Sequence, residues 1–478
     1  MYSHKYIARI VLEAETPLFV GSGESTLLTD AIVQKDIHGF PMIPGTSLAG
    51  VLRHALEDGD DNGKWNSFFG YQAPKDKKGL GSQIKVSSAY LILENGKVAE
   101  GLEPDFDTSK YGVSFNELPV RQHVRIDHKG TSVDKGLYDN EVVYKGCRFV
   151  FEVELKGSEA DNKMWEDFLK ELSSPLFRIG QGTRNGYGQL SIIKKECKAK
   201  TFDLTKKEDF ESYFNYDISL NAVNTGLQTF SPKKEIDLTH YKLELKPESF
   251  FIFGAGFGDE DVDAVPVKEL VVHYDDKNTL QKPEEQTLIP GTSIKGALAH
   301  RTAFYYNKDV LKLATEKFPK NEFEKISKIY TGRNNQAVFE LFGAELGADS
   351  PDETDNHQVS FKLDGHRGKV IINDILQSNI KNDKIFNHVA IDRFTGGAMD
   401  GALFSEKVSY FENKDETIDI NVWVESGVKQ EFVSAFEAAL KDVCRGLLPL
   451  GGMTTKGHGI FTGKLLKNEE KIYDYESK

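Results

Sequence analysis

Two aspartates and two histidines stand where side chains could do chemistry. Asp30, in the segment LTDAIV, and Asp263, in DVDAVPV, each lie in a loop shortly before a Pro-Gly-hydroxyl turn that leads into a helical pattern. A loop carboxylate so placed could hold a divalent ion or orient an attacking hydroxyl. His123 and His388 each open a His-Val-x-Ile-Asp segment that closes on Asp127 or Asp392. Such a histidine could act as acid or base, although a lone strand histidine is more often a satisfied structural residue. Asp127 and Asp392 precede glycine-containing loops, the usual setting of an Asx turn.

The turn after each aspartate is the same pentapeptide, IPGTS, starting at Ile43 and at Ile289. Thr46 or Ser47, and Thr292 or Ser293, could cap the first N–H groups of the following helix. With Gly45 and Gly291 beside them, these helix starts are also suited to a phosphate. Nearer the end of each half comes a glycine-rich run, GQGTRNGYG at 180–188 and GGMTTKGHG at 451–459. Both follow a helix and precede a strand, the reverse of the order a P-loop requires, which excludes a nucleotide triphosphatase. Their glycines let the chain approach another backbone closely. Arg184 and Lys456 add positive charge, and Tyr187 and His458 could stack on a base.

These pairs reveal an internal duplication. FFG at 68–70 answers LFG at 341–343, and the order of all the motifs agrees between the halves. The elements that must position them follow the same scheme. Each half begins with an alternating strand (6–13, 241–246), places a helix after IPGTS (48–56, 294–305), continues with strands such as 148–155 and 418–424, and adds an amphipathic helix (161–172, 429–443). Strand–helix–strand–strand–helix–strand is the ferredoxin-like or RNA-recognition arrangement. The reading is therefore α+β, with two tandem domains of this kind at 1–198 and 240–470 and a connector at 199–239 holding one short helix. The stretch between the FFG motif and His-Val-x-Ile-Asp is longer than a hairpin loop, so an inserted arm is expected. The second half has extra residues between Asp263 and IPGTS, read as an acidic turn around 274–285, and this insertion is expected to move that carboxylate relative to a bound RNA.

Composition sets the bounds. The chain has 478 residues, 28% of them charged, with a net charge of −14. That balance disfavours generic binding to phosphate backbones, so any nucleic-acid site must be local. Acidic runs at 57–61, 259–263 and 349–355 read as solvated loops. The three cysteines, Cys147, Cys197 and Cys444, lack metal or disulfide spacing and read as core filler in a reducing cytoplasm. The alternating N-terminal segment is neither a signal peptide nor a membrane span.

The run PLFVGSGESTLLTDAIVQKDIHGFPMIPGTSLAGVLR, then HVRIDHKGTSVDKGLY, then RIGQGTRNGYG, resembles the RAMP superfamily, specifically the backbone subunits of type III CRISPR effector complexes. The likeness covers nearly the whole chain, twice, and suggests a double-domain fusion of the type III-D kind in a prokaryotic cytoplasm. It implies RNA-recognition-like domains, each with a thumb hairpin, lined up on a guide RNA. In the family the thumbs displace nucleotides of the guide–target duplex. The resemblance implies that single-stranded target RNA is cut beside them with a divalent ion, Mg2+ or Mn2+, and an essential loop aspartate that matches Asp30 and Asp263. RNA contacts are implied at Gly45, Thr46, Ser47, Arg53, Arg121, His123, Arg125 and Arg184, and at Gly291, Thr292, Ser293, Lys295, His388, Arg393 and Lys456. Other RAMP-type subunits and a large polymerase-like subunit are the implied partners, with no membrane. The family's Lys and Arg after IPGTS are each half kept. Ala49 replaces the Lys while Arg53 remains, and Lys295 remains while Ala299 replaces the Arg. Two further readings stand beside cutting: a non-catalytic guide-binding scaffold, and a guide-processing ribonuclease, for which no histidine is well placed.

Overall fold

The computed structural model describes residues 2–57, 63–72, 79–313, 327, 329–344 and 365–477, apart from 105, 110, 112–114, 116, 128, 225 and 414. Most of the acidic run at 57–61, and all of that at 349–355, lies outside the described residues. In the first copy, β1 (His4–Ala14) is followed by α1 (Gly45–Glu57) and β2 (Ile84–Val86). A two-stranded hairpin, β3 (Val120–Ile126) and β4 (Ser132–Glu141), comes before β5 (Arg148–Gly157), α2 (Asn162–Glu171) and β6 (Leu190–Ile192). Pairing places β1 centrally, between β5 and β6, with β2 outside β5. Next, β7 (Lys198–Asp203) also pairs with β1 before the short helix α3 (Lys207–Phe214). Part of the segment read as connector is thereby stitched to the first sheet.

The second copy repeats this order. It runs β8 (Leu238–Pro247), β9 (Lys268–Val271), β10 (Glu284–Ile289), α4 (Gly291–Tyr305) and β11 (Val370–Ile372). The hairpin β12 (Asn382–Ile391) and β13 (Ala398–Tyr410) follows, then β14 (Ile418–Glu425), α5 (Gln430–Cys444) and β15 (Phe461–Lys467). The central sheet reads β11-β14-β8-β15, matching β2-β5-β1-β6 in the first copy. Each half thus has the strand–helix–strand–strand–helix–strand order expected from its sequence.

Apolar spacing explains which faces are covered. Leu48 and Leu52 on α1, and Ile294 and Leu298 on α4, are four residues apart and fully buried against their sheets. Trp165, Phe168 and Leu169 do the same on α2, and Phe432, Phe436, Leu440 and Val443 on α5. Each large side chain so buried contributes roughly 1.5–3 kcal/mol. All three cysteines are buried, and burial raises their thiols, Cys197 to about 11 and Cys444 to about 12.

Of the stretch in which an arm is expected, between FFG and His-Val-x-Ile-Asp, residues 345–364 of the second copy and 73–78 of the first lie outside the described residues. In the first copy the described part supplies β2, and in both copies the His-Val-x-Ile-Asp segment itself makes a hairpin. The reason is local: Asp127 and Asp392 fold the chain back on itself. Asp127 Oδ1 accepts from the N–H of Lys129 (2.8 Å) and Thr131 (3.0 Å), and Asp392 Oδ1 from Phe394 (3.0 Å) and Thr395 (2.6 Å).

Candidate functional site

Both candidate aspartates are exposed and fastened to the second strand of their own hairpin. Asp30 donates its N–H to Asp139 Oδ1 (2.7 Å), and Asp139 returns an N–H to Asp30 Oδ2 (3.0 Å). Asp263 Oδ2 accepts from the Ser405 N–H (2.7 Å) and hydroxyl (2.9 Å). Those hydrogen bonds hold the Asp263 carboxyl below its ordinary value. Asp139 and Ser405 occupy the same register, since Tyr138 pairs with His123 as Phe404 pairs with His388. The insertion after Asp263 therefore does not shift this carboxylate relative to its hairpin. It turns the other way: Tyr274 donates to Ile92 O (2.9 Å) and Leu280 joins the apolar core of the first copy.

A cleft of about 280 Å³ opens beside Asp30, with Glu24 and Gln181 among its lining residues. Among the described residues no cluster of three or more metal-ligating side chains is assembled. In the first copy two carboxylates, Asp30 and Asp139, nevertheless lie side by side, each with one oxygen taken by a backbone N–H. Such a donor set fits a hard divalent ion that keeps several waters. The second copy offers one carboxylate and the Ser405 hydroxyl.

The histidines lie on the first strands of the hairpins and are committed to internal partners. His388 Nε2 and His458 Nε2 both reach Glu406 Oε1, at 2.8 and 3.1 Å. Glu406 is fully buried; burial raises its pKa, but the two histidine hydrogen bonds outweigh this and leave it below the ordinary value. In the first copy His123 Nε2 meets the Tyr187 hydroxyl (2.9 Å) and its ring stacks on Tyr138. Burial, then nearby Arg121, lowers the His123 pKa. Tyr187 and His458, expected to stack on bases, are 4% and 8% exposed and pack inward instead.

The IPGTS helices start one step earlier than the cap reading required. Pro290 is extended (φ −67°, ψ 130°), so helix α4 begins at Gly291 and Thr292 and Ser293 fall inside its first turn. Thr46 and Ser47 sit likewise within α1. The N–H of the glycine is satisfied from elsewhere: Gly45 donates to Ser88 Oγ (3.3 Å), and Gly291 to Asp374 Oδ1 (2.7 Å). A carboxylate thus already occupies the anion-favouring start of α4, whereas α1 has a neutral hydroxyl there.

Several cations expected to grip RNA are spent inside the chain. Arg121, 6% exposed, is clamped between Glu269 and Asp374 of the second copy, whose charges outweigh burial and hold it fully protonated. Arg184 pairs with Glu425. Lys295 donates to Arg184 O (3.0 Å) and Asn185 Oδ1 (3.1 Å), and burial, with Arg184 beside it, lowers its ammonium to about 8. Arg53 binds Glu57 (2.9 Å) and Gly70 O (2.8 Å). Arg125, Arg393 and Lys456 do lie on exposed surface, Lys456 over the Phe404 ring at 4.8 Å. Asp139, Asn140, Ser405 and Glu406 escaped the sequence reading. The mirrored hairpin motif would have flagged them, since all four lie on the return strand of the repeat.

The RAMP superfamily profile matches residues 11–191 and 244–462. The chain is 30% identical over 238 residues to the CRISPR system Cms endoribonuclease Csm3 of Methanocaldococcus jannaschii, covering 43% of this chain and 88% of that protein. A chain from the cryo-EM structure of type III-B Cmr-beta in the apo state aligns at 16% identity with a TM-score of 0.30, covering 39% of this chain and 97% of that one. That second likeness is too slight to bear on fold or function.

Proposed function

The chain belongs to the RAMP superfamily, twice over, and from that premise we propose that it is a backbone subunit of a type III CRISPR effector complex that binds guide RNA and cuts the paired target. The observation that carries the reading is the repeated aspartate, exposed and tied to the return strand of a hairpin in both copies. The likeness to an endoribonuclease supports it. In this reading each half is a ferredoxin-like RAMP domain, 1–198 and 240–470, joined by 199–239 as in a type III-D fusion. The hairpins are thumbs. Their exposed Val124, Ile126 and Leu137, and Val389, Ile391 and Leu403, are suited to wedging between bases and displacing a nucleotide. Asp30 and Asp263, fixed to the thumb, would then stand beside the displaced position. Held by backbone N–H groups, each can orient the attacking hydroxyl at the scissile phosphate. A divalent ion, Mg2+ or Mn2+, held by Asp30 with Asp139, or by Asp263 with Ser405, would supply charge against the phosphate. Arg125, Arg393 and Lys456 are the cations open to the RNA backbone, and the start of α1 is the freer of the two phosphate-accepting turns. Other RAMP-type subunits and the large polymerase-like subunit would flank the chain in a prokaryotic cytoplasm.

A scaffold role is favoured for the second copy alone, because Ser405 stands where the first copy has Asp139. Guide processing ranks last, since His123 and His388 are both committed to internal partners. The assembled complex, given labelled target RNA, separates these readings. Asp30→Ala should lower one cut by on the order of a hundredfold or more, and Asp263→Ala a different cut. If only Asp30→Ala acts, the second copy is a scaffold. An unchanged ladder in the double variant refutes cutting by this chain.

A further inference from the structure

The two copies meet through different surfaces. The first copy presents its hairpin base and glycine-rich loop; the second presents β9, the start of α4 and the end of β14. Arg121 enters between Glu269 and Asp374, Arg184 meets Glu425, and Arg178 donates to Asn373 Oδ1 (2.7 Å). A contact of this head-to-tail kind leaves one half unused at each end. Between repeated units it propagates into a filament unless something stops it. We propose that the contact is a charge code the chain carries once, and that its two outward ends therefore do not join a second copy of the chain.

Shared contacts identify the equivalent positions. Gly45 bonds Ser88 as Gly291 bonds Asp374, so Ser88 stands in the place of Asp374. The Lys156 N–H bonds Gln83 O as the Glu425 N–H bonds Lys369 O, so Lys156 stands in the place of Glu425. Lys35 pairs with Pro41 as Lys268 pairs with Thr287, which puts Asp36 in the place of Glu269. Asp36 is spent on its own turn, accepting from the N–H of His38 and Phe40 (both 2.9 Å). The outward face of the first copy thus has a neutral group, a reversed charge and an inward-turned acid where the second copy has three receiving carboxylates.

The other end is blank in the complementary sense. The Ile179 N–H bonds Gly188 O as the Leu450 N–H bonds Gly459 O, which sets Pro449 against Arg178 and Thr455 against Arg184. His388 matches His123, so Phe386 takes the place of Arg121. No arginine remains at any of the three donor positions. The contrast appears in the backbone as well. A Cβ on Gly186 would lie 2.1 Å from Asp374 Oδ1, whereas one on Gly457 would meet nothing within 4 Å. Joining two chains end to end would set Lys156 against Thr455 in a loop whose own charged side chain is Lys456, and would return none of the desolvation it costs.

Sedimentation of nuclease-treated full-length protein tests this without RNA. The wild type should run as one species of single-chain mass at ~10 µM and ~100 µM, well beyond the micromolar range of weak specific contacts. One recoded chain carries Ser88→Asp and Lys156→Glu; another carries Phe386→Arg and Thr455→Arg. Each alone should remain single, and their mixture should give a two-chain species that ~1 M salt dissolves. Self-association of the wild type that Ala49→Trp abolishes would overturn the proposal. So would a mixture of the two recoded chains, both folded by circular dichroism, that shows no joint species.

Discussion

Glu406 shows how one residue can join two motifs that lie far apart in the chain. It receives His388 from the hairpin and His458 from the glycine-rich loop on one buried oxygen. Because its folded-state pKa lies below the unfolded value, it contributes stability above the ordinary carboxylate range and loses it as pH falls through the lowered value. Glu406→Gln should cost about 1–3 kcal/mol in urea unfolding at neutral pH, and the loss of stability below about pH 4.3 should become shallower. An unchanged acid limb in the variant would show that the carboxylate is not what couples the two motifs. The residues of this cluster were half legible. His388 was visible as a motif residue, but Glu406 lies in an unremarkable strand, and only pairing of β12 with β13 brings the two together.

At the scale of elements, positions within the glycine-rich turns differ in what they demand: Gly180 and its counterpart Gly451 are crowded by backbone, whereas Gly457 is open. Gly180 has φ +91°, and an added Cβ would stand 2.1 Å from Phe19 O, a backbone atom that cannot move aside. Gly457 has the same φ but open space around it. Gly180→Ala should therefore cost about 3 kcal/mol through forced backbone displacement, whereas Gly457→Ala should cost roughly 1–2 kcal/mol from its left-handed conformation alone. Equal effects in chemical denaturation would contradict this. Helices and strands were legible within a few residues because apolar periodicity follows burial on a single face. The caps were not, because Ser88 and Asp374 reach the IPGTS turns from distant strand ends.

Over the whole molecule, charged groups tie the two copies together. Arg121→Met would leave Glu269 and Asp374 buried together without their cation, at a cost of about 3–5 kcal/mol. Unfolding should then separate into two transitions, one per copy. Adding Glu269→Leu and Asp374→Asn to that variant should recover much of the loss, since the uncompensated charge goes with them. A single transition of unchanged midpoint in Arg121→Met would mean that the apolar contacts of Tyr274 and Leu280 hold the copies together unaided. No helix among the described residues is long and apolar enough to cross a membrane.

The sequence by itself determined the duplication, the α+β class, the order of elements and the pair of loop aspartates. All of these are written in local spacing and in exact recurrence, which do not depend on how distant segments meet. Only the tertiary structure decided which charges face outward. Arg121, Arg184 and Lys295 look like RNA-gripping cations in a string of letters, yet each is neutralised or buried by the other copy. A charge becomes a surface feature or an internal tie according to what lies opposite it, and that depends on long-range packing that no local pattern encodes.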